Sequence, residues 1–336
     1  MVVIRVYLDQ NKWIDLTRAA KGRAGGERFR DVLDVARACV KAGDASFPLD
    51  ISRYIETSKR GSWQSRQELV ETMVELSRFH TIAPSFKILP AEIDAALHAR
   101  FGRPNIPRTA QVFGRGVNHA IGGGLRTDGR FELPEKFVVP PGFRSQADAV
   151  LRSVLEYFML VGPPPDMELS QEFYDARAAM TQDVSYSQGE TDLAARLVEH
   201  GFAKQEKLNR AMHATELGDI LRPVVEALLR AGINPDHFID TLGREGLTTF
   251  VQDLPTRAVT TKLRKDKHAQ GQQRWEPNDL NDIVSLPIAA VYCDIVVTEK
   301  QWVNRMQRAG VERRYDTKFL ANLSELTEAL VGFTRT

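Results

Sequence analysis

The chain has 336 residues, 43% of them hydrophobic, and a formal net charge of +1. That is enough apolar material for a large core and two domains. The near balance of charge removes any argument for nucleic-acid binding from global charge, so such an argument must come from local patches. Cys39 and Cys293 lie far apart with no zinc-site spacing, and no apolar run reaches the roughly eighteen residues of a membrane span. The expectation is a reduced, cytoplasmic protein with no membrane partner.

VVIRVYLDQ is apolar and β-branched, and predicts a buried strand ending on Asp9. Gln10 and Asn11 turn into a short helix, KWIDLTRAA, and KGRAGG forms a turn. Helical spacing follows over 28–41. Residues 46–49 read as a second strand, with Asp50 as N-cap of the helix ISRYIETSKR. Another amphipathic helix covers 63–79. Residues 100–145 are rich in Gly, Pro and Arg, with a hairpin turning on Asp128-Gly129. The chain is then mostly helical to about 250, broken at 162–166 and 232–235. A basic helix starts near Pro255, followed by a helix over 278–292, a strand over 294–298, a helix from Gln301, a short strand near 314–319 and a terminal helix. Short strand–helix–strand links indicate right-handed crossovers. Together these elements predict one α/β domain whose sheet comes from residues 1–90 and 256–336, split by a largely helical insertion at 91–255.

The candidate chemistry is acidic. Asp9 ends a central strand, at the edge where open parallel sheets bind ligands; its ordinary reading is a helix cap. Asn11 follows it. Glu56 lies on the first helix after the second strand, where a solvated surface residue is the common case. Asp279 and Asp282 share one face of their helix, and Asp279 also suits the first turn. Asp294 stands between AAVYC and IVVT, where a solvated side chain is unexpected, and Thr298 and Glu299 end that strand. Carboxylates gathered at strand ends are costly unless a cation or donor meets them, which indicates a divalent metal. Without metal they repel one another, so Asp9→Asn or Asp294→Asn is expected to hold or raise thermal stability.

The strand ending LDQNKWIDL, the Glu in ISRYIE, the helix NDLNDIVSLPIAA and the run YCDIVVTEK resemble the successive motifs of PIN-like nuclease domains. The resemblance covers roughly half of the chain. It implies a three-layer α/β/α Rossmann-like parallel sheet carrying a large, mostly helical insertion. It also implies a Mg²⁺- or Mn²⁺-dependent endoribonuclease of the kind found among bacterial toxins and RNA-processing enzymes. Its four acidic positions fall on Asp9, Glu56, Asp282 and Asp294, and its closing Thr and acid on Thr298 and Glu299, with Asn11 and Asp279 auxiliary. Gln10 and Asn11 replace the more usual Thr-Asn, and the insertion is foreign to compact members. Oxygen ligands suit Mg²⁺ and Mn²⁺, and two such ions can activate water and steady the leaving oxygen.

The substrate backbone is assigned to the basic helix before the last motif, through Lys262, Arg264, Lys265 and Lys267. A second arginine-rich stretch holds Arg103, Arg108, Arg115, Arg126 and Arg130. Two readings compete with RNA cleavage. The same chemistry cuts DNA, and a non-catalytic RNA- or protein-binding module could keep the fold and use the helical insertion for its partner. The seven histidines form no motif.

Overall fold

The computed structural model describes residues 3–123, 142, 144–164, 183–201, 205–270, 275–276 and 278–333. The expected hairpin at Asp128-Gly129 lies outside the described residues, as do Arg126 and Arg130. The chain is α/β: mostly helical, with short strands that pair in parallel except for one antiparallel pair. It divides into two compact units, one of Met1–Pro84, Phe113–Phe173 and Asn322–Thr336, the other of Ser85–Val112 and Tyr174–Ala321. That division cuts across the three sequence segments, because residues 256–321 group with the helices that precede them.

In the first unit, β1 (Ile4–Leu8) buries Ile4, Val6, Tyr7 and Leu8 and leaves Arg5 half-buried, the pattern of a strand covered on both faces. Helix α1 (Gln10–Ala20) starts on Asp9, whose carboxylate accepts from the Gln10 N–H at 2.6 Å. Helix α2 (Arg30–Ala42) ends on Gly43 at φ 83°, a left-handed conformation that costs glycine little. β2 is only Ala45–Ser46, parallel to β1 with Arg5 opposite Ser46. It stops short of the expected 46–49 because Pro48 has no N–H for a ladder; Leu49 then makes a single parallel bridge to Thr81. Helix α3 (Ile51–Ser58) is capped by Asp50, which accepts from the Arg53 N–H at 3.0 Å. Helix α4 (Trp63–Ser77) is capped by Ser62 and leads into β3 (His80–Ile82). The core between them includes Trp13, edge-on to Phe47 at 6.4 Å, with Leu16, Leu33, Leu69 and Met73.

Helix α5 (Ser85–Phe101) belongs to the second unit and carries Pro90 in its interior. The first unit continues with β4 (Phe113–Arg115), antiparallel to β3, then α6 (Gly116–Ala120) and α7 (Arg144–Val161). Neither β3 nor β4 was expected; three residues are too few to show a period.

The second unit stacks α8 (Asp183–Glu199), α9 (Gln205–Asp219), α10 (Leu221–Ala231), α11 (Pro235–Gln252) and α12 (Pro255–Ala269). Its apolar centre joins Ile93 and Leu97 of α5 to Val224, Leu228, Phe238 and Phe250. The basic helix begins with Pro255 in its first turn, as the sequence predicts. Helix α13 (Asp279–Tyr292) precedes β5 (Ile295–Val297), and α14 (Lys300–Arg308) and α15 (Val311–Tyr315) lead to β6 (Lys318–Leu320), parallel to β5. The last strand starts later than expected because 311–315 is helical and Asp316, at φ 55°, ends the turn. Helix α16 (Leu326–Phe333) closes the first unit. Among the described residues no helix is long and apolar enough to cross a membrane.

Candidate functional site

Three carboxylates of the first unit meet one buried guanidinium. Asp9 follows β1 and Asp50 follows the Leu49 bridge, so both stand at the carboxyl ends of parallel segments. One turn into α3, Arg53 is 1% exposed. Its guanidinium contacts Asp9 Oδ1 at 3.0 Å, Asp50 Oδ1 at 3.5 Å and Glu56 Oε1 at 3.4 Å. The Tyr7 hydroxyl donates to Asp50 Oδ2 at 3.0 Å. Burial alone would lower the Arg53 pKa, but Glu56, Tyr7, Asp50 and Asp9 outweigh it and hold the guanidinium well above its ordinary value. Burial pushes the Tyr7 phenol up, against the pull of Arg53.

This geometry joins Asp9 and Glu56, which the sequence reading paired, and adds Arg53, Asp50 and Tyr7, which it did not. The missed signal was present: Asp50, Arg53 and Glu56 stand three residues apart, a spacing that stacks them on one helix face. It also overturns the expected stability effect at Asp9. Asp9 faces a guanidinium, so Asp9→Asn removes a partner of a buried cation and costs about 1–3 kcal/mol.

In the second unit the expected acids separate. Asp279 is 6% exposed, accepts from the Glu276 N–H at 2.5 Å and is ion-paired with Lys267; it holds the start of α13, its ordinary reading. Asp282 is half-buried and accepts from the indole N–H of buried Trp302 at 2.8 Å. Asp294 precedes β5, and its carbonyl accepts from the Lys318 N–H. Thr298, fully buried, and Glu299 follow that strand. Asp294 therefore marks the amino end of β5, and four extended residues, about 13 Å, part it from Thr298. Glu299 stands at the carboxyl end, at the start of α14, and accepts from Gln301 Nε2 at 2.9 Å. In the first unit Asn11 is exposed in the opening turn of α1.

The expected backbone-holding cations of α12 are largely committed inside the protein. Arg264 is 5% exposed and contacts Glu190 and Glu216 at 2.5 Å and Asp219 at 3.0 Å. Lys267 is ion-paired with Asp279, with its ammonium 4.8 Å from the Trp275 ring centre. Lys262 is half-buried and donates to the Ala309 carbonyl at 2.8 Å; burial, then Arg314 and Lys265, push its ammonium down. Lys265 is also half-buried. Arg264 and Lys267 thus neutralise internal acids and cannot also meet phosphate without breaking buried pairs. A run of cations in sequence does not say which face they lie on.

Oxygen donors alone make up the first unit's cluster, the donor type that Mg²⁺ and Mn²⁺ take. Beside Asp9, Gln10 Oε1 is buried without a hydrogen-bond partner among the described residues, while its Nε2 donates to Thr57 Oγ1 at 3.1 Å. Among the described residues no three His, Cys, Asp or Glu side chains stand close enough together to hold a metal ion; the Arg53 guanidinium stands among the carboxylates instead. In donor type alone, the carboxylates of Asp9 and Glu56 fit a divalent cation. Comparison of the chain with protein-family models, curated proteins and solved structures finds no match.

Proposed function

We propose that this protein is a divalent-metal-dependent nuclease acting on RNA. The observation that carries the reading is the convergence of Asp9, Asp50 and Glu56 around one guanidinium, with Asp9 and Asp50 at the carboxyl ends of parallel segments. Such edges are where open α/β sheets place their ligands, and the motifs that resemble PIN-like nucleases include two of these three acids. The resemblance assigns Asp282 to the same task. Of the two acids flanking β5 in the second unit, Glu299 rather than Asp294 stands at the carboxyl end of its strand.

When bound, the cation would supply an activated water and charge for the leaving oxygen. The chain's own residues do the rest. Asp9 is fixed twice, by the Gln10 N–H and by Arg53, so its carboxylate is oriented before any ligand arrives. Arg53 holds Asp9, Asp50 and Glu56 together against their mutual repulsion. Gln10 ties α1 to α3 through Thr57.

The test has two readouts. Mn²⁺ affinity is measured by calorimetry, and cleavage by following a labelled RNA with and without EDTA. Wild type is expected to bind Mn²⁺ and to cut only with metal, and Asp9→Asn to weaken both. Metal-independent cleavage, or no cleavage of RNA and no bound Mn²⁺, rejects the reading in favour of a non-catalytic module. Cleavage of DNA in preference to RNA corrects the substrate alone.

A further inference from the structure

At the opposite end of the same strands the charge reverses. We propose that the amino edge of the first unit's strands is a binding surface for single-stranded nucleic acid, gripping its phosphates with Arg5, Arg78 and Arg115. The proposal rests on the nucleic-acid reading for its ligand class, but on none of the acidic residues.

Short contacts join the three arginines across four segments. Arg5 on β1 stands opposite Ser46 on β2. Ser46 Oγ is 3.1 Å from His80 Nδ1, at the start of β3. His80 stands opposite Arg115 on β4, and Arg115 Nη2 donates to the Arg78 carbonyl at 3.0 Å. The Arg5 guanidinium lies 4.9 Å from the centre of the Phe113 ring. Burial, then Arg115 and Arg5, hold the His80 imidazole below its ordinary value. His80 is therefore neutral at neutral pH, and the positive charge here belongs to the arginines.

Three features set this edge apart from an ordinary solvated surface. Some exposed arginines of the unit find acids, as Arg18 meets Asp15 and Arg23 meets Glu68. Arg78 and Arg115 are exposed, and among the described residues no carboxylate pairs with either. Second, Arg78 and Phe79 are consecutive non-glycine residues at φ 48° and 59°, each costing on the order of 1–2 kcal/mol. The turn is pinned by the Phe79 N–H on Ser77 Oγ and the Gly116 N–H on the Phe79 carbonyl, so the chain spends strain to set Arg78 at this edge. Third, guanidinium forks match phosphate oxygens in pairs, and an aromatic ring beside them is the pairing that sequence-tolerant single-strand binders use. Arg5 and Asp9 are four residues apart on one extended strand, about 13 Å, so the patch is separate from the carboxylates.

The experiment is anisotropy of a fluorescein-labelled twelve-nucleotide oligo(U) in EDTA, titrated at several salt concentrations, with wild type, Arg78→Gln/Arg115→Gln, Arg78→Lys, and Lys262→Gln/Lys265→Gln. EDTA removes cleavage, so a failed nuclease reading does not obscure binding. The double arginine variant is expected to bind about tenfold more weakly at moderate salt, with the slope of log K against log salt reduced by about 1.4, since each lost single-strand phosphate contact removes about 0.7. Arg78→Lys is expected to keep the slope, which separates charge from folding. The α12 variant is expected to bind like wild type. An unchanged slope in the double arginine variant, with an unchanged melting temperature, overturns the proposal. So does equal competition by polyglutamate, which would make the partner an acidic protein segment.

Discussion

Two buried charge clusters, one in each unit, are built with opposite signs. In the first, the Arg53 guanidinium is ringed by Asp9, Asp50 and Glu56. In the second, the Glu216 carboxylate is held by Arg257 and Arg264, and Arg264 also reaches Glu190. Access separates them. The Glu56 side chain is 22% exposed and that of Glu216 is 0%. The Arg53 cluster stands at strand ends, whereas the Glu216 cluster ties helices α8, α9 and α12 together. A buried ion network between helices is a closed structural tie, whereas the first cluster keeps one part-exposed acid.

The largest effect that would break this contrast is on activity. Asp9→Asn and Asp282→Asn are each expected to lower metal-dependent RNA cleavage by more than the roughly 10–100-fold typical of outer-shell changes. Glu299→Gln is expected to join them, and Asp294→Asn to stay near wild type. Single-turnover rates decide, and the reverse order for Glu299 and Asp294 would restore the sequence-based assignment.

Next in size is Arg53→Met. It leaves three acids without their guanidinium and is expected to cost about 3–5 kcal/mol in metal-free buffer. Saturating Mn²⁺ at a hundred times its dissociation constant should return about 2.7 kcal/mol. Urea midpoints with and without Mn²⁺ measure this, and a variant that ignores the metal would show that the cluster is as closed as its counterpart. Glu216→Gln sharpens the other side. Burial pushes the Glu216 carboxyl up despite both arginines, so losing its charge is expected to cost less, about 1–3 kcal/mol, with no response to Mn²⁺.

The smallest effect is a pH dependence in the second unit. Burial would raise the Asp94 pKa, but hydrogen bonds from Arg108 and Arg230 win and hold it below the ordinary aspartate value. Its contribution is therefore present in full above the unfolded aspartate pKa and is lost as pH falls through the lower folded one. Asp94→Asn should flatten the acid limb of the stability curve and leave the shape near neutrality unchanged. Melting temperatures between pH 2 and 7 test it, and an equally steep acid limb would mean that other carboxylates govern acid unfolding.

Much of the α/β character was legible, because β1, α2, α12 and α13 have clear apolar periods and cap signals at Asp9, Asp50 and Pro255. The short strands β3 and β4 were not, and β2 lost its expected residues 47–49 at Pro48. For the candidate site, Asp9 was singled out by its place at a strand end and Glu56 by the resemblance, yet Arg53, which contacts both, was read past. A sequence shows which residues are charged but not which charges face each other; that depends on the crossover bringing α3 beside the end of β1. The same limit misled the reading of α12, where the run of cations at 262–267 is divided by the helix period between internal acids and the outer face.

The hydrogen bond from Trp302 to Asp282 has an optical consequence. The indole is 1% exposed and donates its N–H to that carboxylate at 2.8 Å, so its excited-state dipole feels any change of charge there. If a cation draws on Asp282, the tryptophan emission should shift in wavelength or intensity, and Asp282→Asn should abolish the shift. The protein thus carries its own fluorescent reporter at one of the acids in question, readable without substrate or label.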